Sequence, residues 1–367
     1  MKIALITIHV GNNFGSILQS IASVHVLKKL GHNVVIVDYR PDRVTFRYYV
    51  KGALASPVKL IWRILFLPIY LKNRFIYKSF LTRFCEMSTP IYSNDDFKKK
   101  CPQADVYMTG SDQVWNSKHN QGFDERYFFS GIKGKKISYS SSIGQIDLQK
   151  KELEMFKKAL KDYSYISVRE NTAVDIIEKM DLKATQLVDP TFMLTEEEWR
   201  QYMSPRIEKF PYILLYLPYN IKDKDIILKS ARKIASLKKL KIVTFSWTII
   251  SDISADRTIK FANPGDFLSL VYFADCIITN SFHGTAFSIN LNKEFWVYQP
   301  TAFSTRITSI LDLTSLSSRL LTDVVDLHDI KPIDYIRVNQ ILNDERTKSN
   351  AFLKKALENT DGICVNK

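Results

Sequence analysis

The sequence predicts an α/β protein of two Rossmann-like domains facing each other across a cleft. Three observations carry this reading. The chain opens as strand, helix and strand, a second alternation of the same kind begins at Tyr212, and 367 residues exceed what one hydrophobic core ordinarily supports. The expected limits are 1–195 for the first domain, with a basic aromatic insert at about 43–84, then 196–335 for the second and 336–367 for a C-terminal helix and tail.

Residues 2–8 form a continuous apolar run, as a strand covered on both faces requires. The loop His9-Val10-Gly11-Asn12-Asn13-Phe14-Gly15 then enters a helix with Ile17, Ile21 and Val24 at helical spacing, Gly31 ends it, and 33–37 is the second strand. Gly11 and Gly15 lack the spacing of a dinucleotide fingerprint. The loop is therefore either a plain turn or a backbone that approaches some other ligand, with Asn12 and Asn13 as candidate acceptor contacts. Strand 104–108 delivers Thr109-Gly110-Ser111-Asp112-Gln113-Val114-Trp115 to its carboxyl end, strand 136–140 ends in Ser140-Ser141-Ser142, and 165–168 ends in Arg169-Glu170. Carboxyl ends of parallel strands share one edge, so these four polar ends are expected to line a common cleft. Ser111 and Trp115 join the candidate acceptor contacts, and Asp112 is either an acid–base group or a turn former. Arg169 is the permanent cation of this set, suited to a carboxylate or phosphate unless it merely pairs with Glu170. A short strand at 185–188 closes the domain at Asp189-Pro190, and Thr195-Glu196-Glu197-Glu198 reads as a capped helix start.

In the second domain, strands 212–217 and 241–245 flank a helix with Ile227, Ala231 and Ile234 in register. Asn263-Pro264-Gly265-Asp266 opens the helix that feeds the strand at Cys276, 294–298 is a further strand, and 339–357 is a polar terminal helix. The Cys276 strand stops at Thr279-Asn280-Ser281 and presents His283 before a helix read as beginning at Gly284. Backbone N–H groups of Gly284 and Thr285 would favour an anion there. His283 is then either an acid–base group beside an anion seat or a histidine that caps or packs its helix. Two such domains are similar to a GT-B arrangement.

The formal charge of +14 is concentrated: Arg40 to Arg83 holds ten Lys and Arg residues against Asp42 alone, interleaved with Phe46, Tyr48, Tyr49, Trp62 and Tyr70. That mixture suits a bilayer surface; the alternative is a helical insert that packs its apolar face on the protein. Nucleic acid would feel the same charge but is not the expected partner. Pro57 and Pro68 interrupt the apolar run at 53–71, so two short amphipathic helices are expected rather than a spanning one. The start Met1-Lys2-Ile3-Ala4-Leu5-Ile6 has no secretory pattern, so a cytosolic protein is expected, with peripheral contact at the inner membrane face through 43–84 as the open alternative. Cys85, Cys101, Cys276 and Cys364 are widely spaced without a Cys-x-x-Cys pair, so neither disulfide nor metal site is indicated.

Taken together, several motifs resemble the polysaccharide pyruvyl transferase family. They are Lys2-Ile3-Ala4-Leu5-Ile6 with Gly11-Asn12-Asn13-Phe14-Gly15, Val37-Asp38-Tyr39-Arg40-Pro41, Gly110-Ser111-Asp112-Gln113-Val114-Trp115, Ser167-Val168-Arg169-Glu170, Val188-Asp189-Pro190 and Ser281-Phe282-His283-Gly284. The resemblance implies transfer of the pyruvyl group of phosphoenolpyruvate, with no further cofactor, to two hydroxyls of a sugar or lipid-linked oligosaccharide in cell-surface polysaccharide assembly. By it, Arg169 matches the arginine that grips the donor and His283 the histidine of the donor site. Some members carry an arginine two residues before that histidine, where this chain has Ser281. Another cation must then balance the donor; Arg306 is the first candidate unless it is a solvated helix residue, and Lys241 the second. Two other readings remain: a GT-B glycosyltransferase using a nucleotide sugar, for which Asp312 stands without a recognisable motif, and a non-enzymatic basic module driven by 40–83.

Overall fold

The computed structural model describes residues 1–51, 56–219, 224–246, 253–299, 305–325 and 331–358. It divides into two units, Met1–Pro190 together with the segment from Lys348, and Thr191–Thr347. The terminal helix Tyr335–Glu358 thus contributes its last turns to the first unit, where Phe352 meets Tyr165 edge to face at 6.1 Å.

In the first unit β1 (Lys2–Ile6), β2 (Asn33–Ile36), β3 (Glu86–Met87), β4 (Val106–Thr109), β5 (Lys135–Ser138) and β6 (Tyr163–Tyr165) form a parallel sheet in the order β3-β2-β1-β4-β5-β6. β7 (Ser167–Val168) and β8 (Thr185–Gln186) pair as a separate parallel ladder. In the second unit β9 (Tyr212–Tyr216), β10 (Lys241–Ser246), β11 (Arg257–Lys260), β12 (Cys276–Thr279), β13 (Phe295–Tyr298) and β14 (Leu320–Leu321) repeat that order as β11-β10-β9-β12-β13-β14. Both are Rossmann-like: the central strands are apolar and buried on both faces, as parallel sheets between helices are. In each sheet the order reverses beside the first strand, between β1 and β4 and between β9 and β12. Loops leaving neighbouring strands in opposite directions open a crevice at such a point. The His9–Gly15 loop and the Gly110 loop leave one reversal, and the Ser281-Phe282-His283 turn leaves the other.

Sequence signals place most of these elements. Helix α1 (Phe14–Lys29) begins where Asn13 accepts from the amides of Gly15 and Ser16 and ends before Gly31, whose φ of +86° a side chain would resist. The starts at Thr195 and Asn263 are both reciprocal capping boxes. The insert departs from expectation. After a short helix α2 (Phe46–Lys51), α3 (Pro57–Phe84) runs for 28 residues straight through Pro68, because the ladder on both sides holds it. Its second half packs on α1 as a packed insert would, with Tyr77 and Leu81 buried and Tyr77 stacked on Phe14 at 5.4 Å, whereas Val58, Ile61, Trp62 and Leu65 of its first half are exposed.

The polar strand ends also behave differently from the expected common cleft. Ser140, Ser141 and Ser142 are fully buried, and their hydroxyls donate to Val188 O, Gly110 O and Glu170 Oε1 at 2.7, 2.9 and 2.9 Å. Three of the four ends close on one another as internal hydrogen bonding. Only the loop after β1 borders open space.

Candidate active site

β12 ends at Thr279, and the Phe282–Asn290 helix begins with Ser281 as its N-cap. This start precedes the one read from the sequence, and it changes which backbone amides lie at the helix N-terminus. Thr285 is not a donor: its N–H and its hydroxyl both go to Ser281 O, at 2.9 and 3.0 Å. The amides outside the helix's own ladder are those of Phe282, His283 and Gly284, and the Ser281 side chain caps none of them. Gly284 is what lets this turn form. A Cβ there would lie 2.9 Å from the Tyr216 ring and closer still to the Thr279 hydroxyl. That hydroxyl cannot swing aside, since it donates to Tyr216 O at 2.7 Å and accepts from Ser281 N at 3.1 Å.

Arg306 lies in the Thr305–Leu313 helix and is 2% exposed, with its guanidinium carbon 5.6 Å from the centre of the Phe282 ring. It is therefore not a solvated helix residue, and it brings a buried positive charge against the turn where Ser281 has none. Lys241 fails as a substitute. It opens β10, at the amino edge of a sheet whose carboxyl edge bears His283, and its ammonium sits over Phe210 at 4.4 Å.

The first unit corrects several expectations. Arg169 is buried among carboxylates, 2.6 Å from Asp189, 3.7 Å from Asp112 and 4.0 Å from Glu170. Burial works against its charge, but these carboxylates outweigh that and hold the guanidinium more firmly protonated than usual. Such an arginine ties strand ends together; its charge is already countered by neighbours. Asp112 makes the turn, at φ +69°, with Oδ1 accepting from Gln113 N at 2.9 Å and Oδ2 from the Ser16 hydroxyl at 2.6 Å. Ser111 is fully buried and donates to Asp189 at 2.7 Å. Trp115 is a core side chain stacked on Phe128 at 5.3 Å, with its indole N–H on Tyr127 O. Asn13 is committed to capping α1, whereas Asn12 stays exposed.

Beside Asn12 lies a cavity of about 700 Å³ that the sequence reading missed. One wall is His9, Asp38 and Arg40 at the ends of β1 and β2. The His9 ring faces Thr7 O at 3.0 Å and Asp38 Oδ1 at 3.1 Å, and Arg40 grips the same carboxylate through two nitrogens at 2.8 and 2.6 Å. Burial would raise the Asp38 carboxyl, but the hydrogen bonds from His9 and Arg40 overcome it and keep the group well below the usual carboxylate range. The signal was present in Val37-Asp38-Tyr39-Arg40-Pro41, where an acid and a base alternate at a strand end.

The model of the polysaccharide pyruvyl transferase family matches residues 13–299, a span that takes in the insert and the His283 turn. The chain belongs to the polysaccharide pyruvyl transferase family. As a member it is an enzyme, a transferase, which displaces the reading as a non-enzymatic basic module. No curated protein matches it in sequence. Among solved structures, a UDP-N-acetylglucosamine 2-epimerase from Rickettsia bellii is similar with a TM-score of 0.51 at 11% identity, over 98% of this chain and 97% of that one. A UDP-GlcNAc 2-epimerase from Methanocaldococcus jannaschii gives 0.49 at 10% identity, over 94% and 92%. Identity this low speaks to fold alone, and the fold of this pyruvyl transferase is the GT-B-like pair of Rossmann-like domains.

Two expectations follow for this pyruvyl transferase. Gly284→Ala should destabilise it by about 1–3 kcal/mol through overpacking against Thr279 and Tyr216, read by urea unfolding; an unchanged midpoint would show that the helix can withdraw. Arg169→Ala should cost about 3–5 kcal/mol in the same experiment, because it strands buried carboxylates. Unchanged stability with lost turnover would instead assign Arg169 to the donor.

Proposed function

We propose that the protein transfers the pyruvyl group of phosphoenolpyruvate to two hydroxyls of one sugar in cell-surface polysaccharide assembly, forming a cyclic ketal and releasing phosphate. The observation that carries this is the pairing of the His283 turn with buried Arg306 within one domain. The donor bears a phosphate and a carboxylate, and this turn combines first-turn helix amides with a desolvated cation, both of which favour anions. In a site shielded from water such charges act more strongly than they would in bulk solvent.

The chemistry requires two proton movements. The donor methylene takes up a proton and becomes a methyl group as the first sugar oxygen bonds to the adjoining carbon. The second sugar oxygen then bonds to that carbon and the C–O bond to phosphate breaks, so the two hydroxyl protons balance the one gained by carbon and the one carried off with phosphate. His283, 3% exposed and seated at the helix N-terminus, is the group assigned to proton transfer. Arg306 and the amides of Phe282–Gly284 hold the donor's anionic oxygens. Ser281 contributes a hydroxyl at the same corner. Asp112 and Arg169 maintain the first domain's strand ends rather than meeting the donor.

Purified protein incubated with phosphoenolpyruvate and a panel of sugars should release phosphate in step with an acceptor mass gain corresponding to a ketal. Release with no acceptor modified, or turnover only with a nucleotide sugar, would overturn the reading. His283→Ala should lower kcat by about 10²- to 10⁴-fold with folding intact. Arg306→Ala should chiefly raise KM for phosphoenolpyruvate, by about 10- to 100-fold. Near-normal constants for either variant would remove that residue from the site.

A further inference from the structure

The helix that carries His283 is held at both ends. At its rear Asn290 is 4% exposed, and its amide is bonded in three directions: Nδ2 donates to Thr191 O at 3.0 Å and to Leu194 O at 2.9 Å, while Oδ1 accepts from Arg346 at 2.8 Å. That amide has one orientation, since a flipped one would set its oxygen against two carbonyls and its NH2 against a guanidinium. Arg346 belongs to the terminal helix Tyr335–Glu358 and makes no ion pair among the described residues; its other bonds go to Phe192 O and Asn343 Oδ1, both at 2.7 Å. Burial weakens its hold on the proton, Glu198 opposing. An arginine half-buried among neutral oxygens is placed for its fork geometry rather than for its charge. Tyr335, about three turns earlier and so on the same face of the terminal helix, donates to Lys293 O and, at 3.4 Å, to Ser288 O. The terminal helix thus grips the rear of the His283 helix at two points. All of these residues lie in the second unit, and Tyr335 and Arg346 fall outside the span 13–299 that the family model matches.

We propose that Asn290 and Arg346 are positioning residues that aim His283. This rests on the assignment of proton transfer to His283. Asn290 follows His283 by about two turns, so the two share one helix face. The close contact at Gly284 sets how near the helix approaches Thr279 and Tyr216, but a contact at one residue fixes neither rotation about the helix axis nor sliding along it. The rear amide, bonded in three directions, removes both freedoms. The leverage is large. A side-chain tip about 5–6 Å from the axis moves about 1 Å for each rotation of about 10°, and a misplacement of about 1 Å costs a reacting group about 10²-fold. Backbone amides lie within about 2.3 Å of the axis and move less than half as far. Breaking the rear contact therefore disturbs the proton-transferring ring more than it disturbs the amides that hold the donor, so the loss falls on kcat and spares KM.

Two full-chain variants test this. Arg346→Lys keeps the charge and loses the fork, and Asn290→Asp keeps the shape but sets a carboxylate oxygen against the Thr191 and Leu194 carbonyls. With circular dichroism confirming that each is folded at the assay temperature, each should lower kcat for phosphate release by about 10- to 100-fold and leave KM for phosphoenolpyruvate within about twofold. In a His283→Ala background the same changes should lower the residual rate no further, because they act through that ring. Unaltered kcat in a folded variant, a rise in KM that accounts for the whole loss, or a further loss without His283 would each overturn the proposal. A second readout needs no turnover. In histidine ring NMR spectra of labelled protein, the resonance missing from His283→Ala is that of His283; it should shift in both variants while those of His9, His25, His32 and His119 in the first unit stay in place. An unmoved His283 resonance would overturn the positioning role whatever reaction the protein performs. Absence of phosphate release by the unaltered protein with every sugar would instead overturn the pyruvyl-transfer reading alone.

Discussion

The close approach of the Phe282–Asn290 helix to the ends of β9 and β12 is the constraint on which the candidate site depends. Gly284 meets Thr279 and Tyr216 where a methyl group has no room, and the Thr279 hydroxyl is pinned from both sides. Were the helix held a side chain's width further out, Ser281 N would lose its acceptor and the first-turn amides would no longer sit at the reversal between β9 and β12. The position of His283 thus follows from a glycine one residue later. Strand order supplies the crevice, and the missing Cβ supplies the distance.

Two buried arginines show how surroundings assign roles. Arg169 and Arg306 are about equally buried, 4% and 2% exposed, yet Arg169 sits among Asp112, Glu170 and Asp189 whereas Arg306 lies against the Phe282 ring. A cation enclosed by carboxylates stabilises an arrangement of loops and has little attraction left for a second anion. The same residue type thus meets carboxylates in one domain and an aromatic ring in the other.

The fold was legible in the sequence wherever burial writes a pattern: the apolar runs of β1, β4, β9 and β12, and the capping boxes at Thr195 and Asn263. The short edge strands β3, β11 and β14 were not, since Arg257-Thr258-Ile259-Lys260 has no apolar run and is specified by its neighbour β10. In the site, the strand-end positions of Ser111 and His283 were legible, but not that the Ser111 hydroxyl, the Trp115 indole and the Thr285 hydroxyl bond within the protein. A polar residue at a strand end looks alike in sequence whether its hydroxyl meets a ligand or, as with Ser111, an aspartate 78 residues away. The chamber under α3 was visible only as charge, because nothing in Arg40 to Arg83 says which helix face turns inward.

The described residues include no helix long and apolar enough to cross a membrane, and α3 carries its apolar stripe exposed. A crystal structure with phosphoenolpyruvate bound tests the central assignment most directly. It should show the donor at the start of the Phe282–Asn290 helix, with His283 within about 3.5 Å of it and the Arg306 guanidinium on its phosphate or carboxylate. A donor held by Arg169, with the His283 turn empty, would contradict the account.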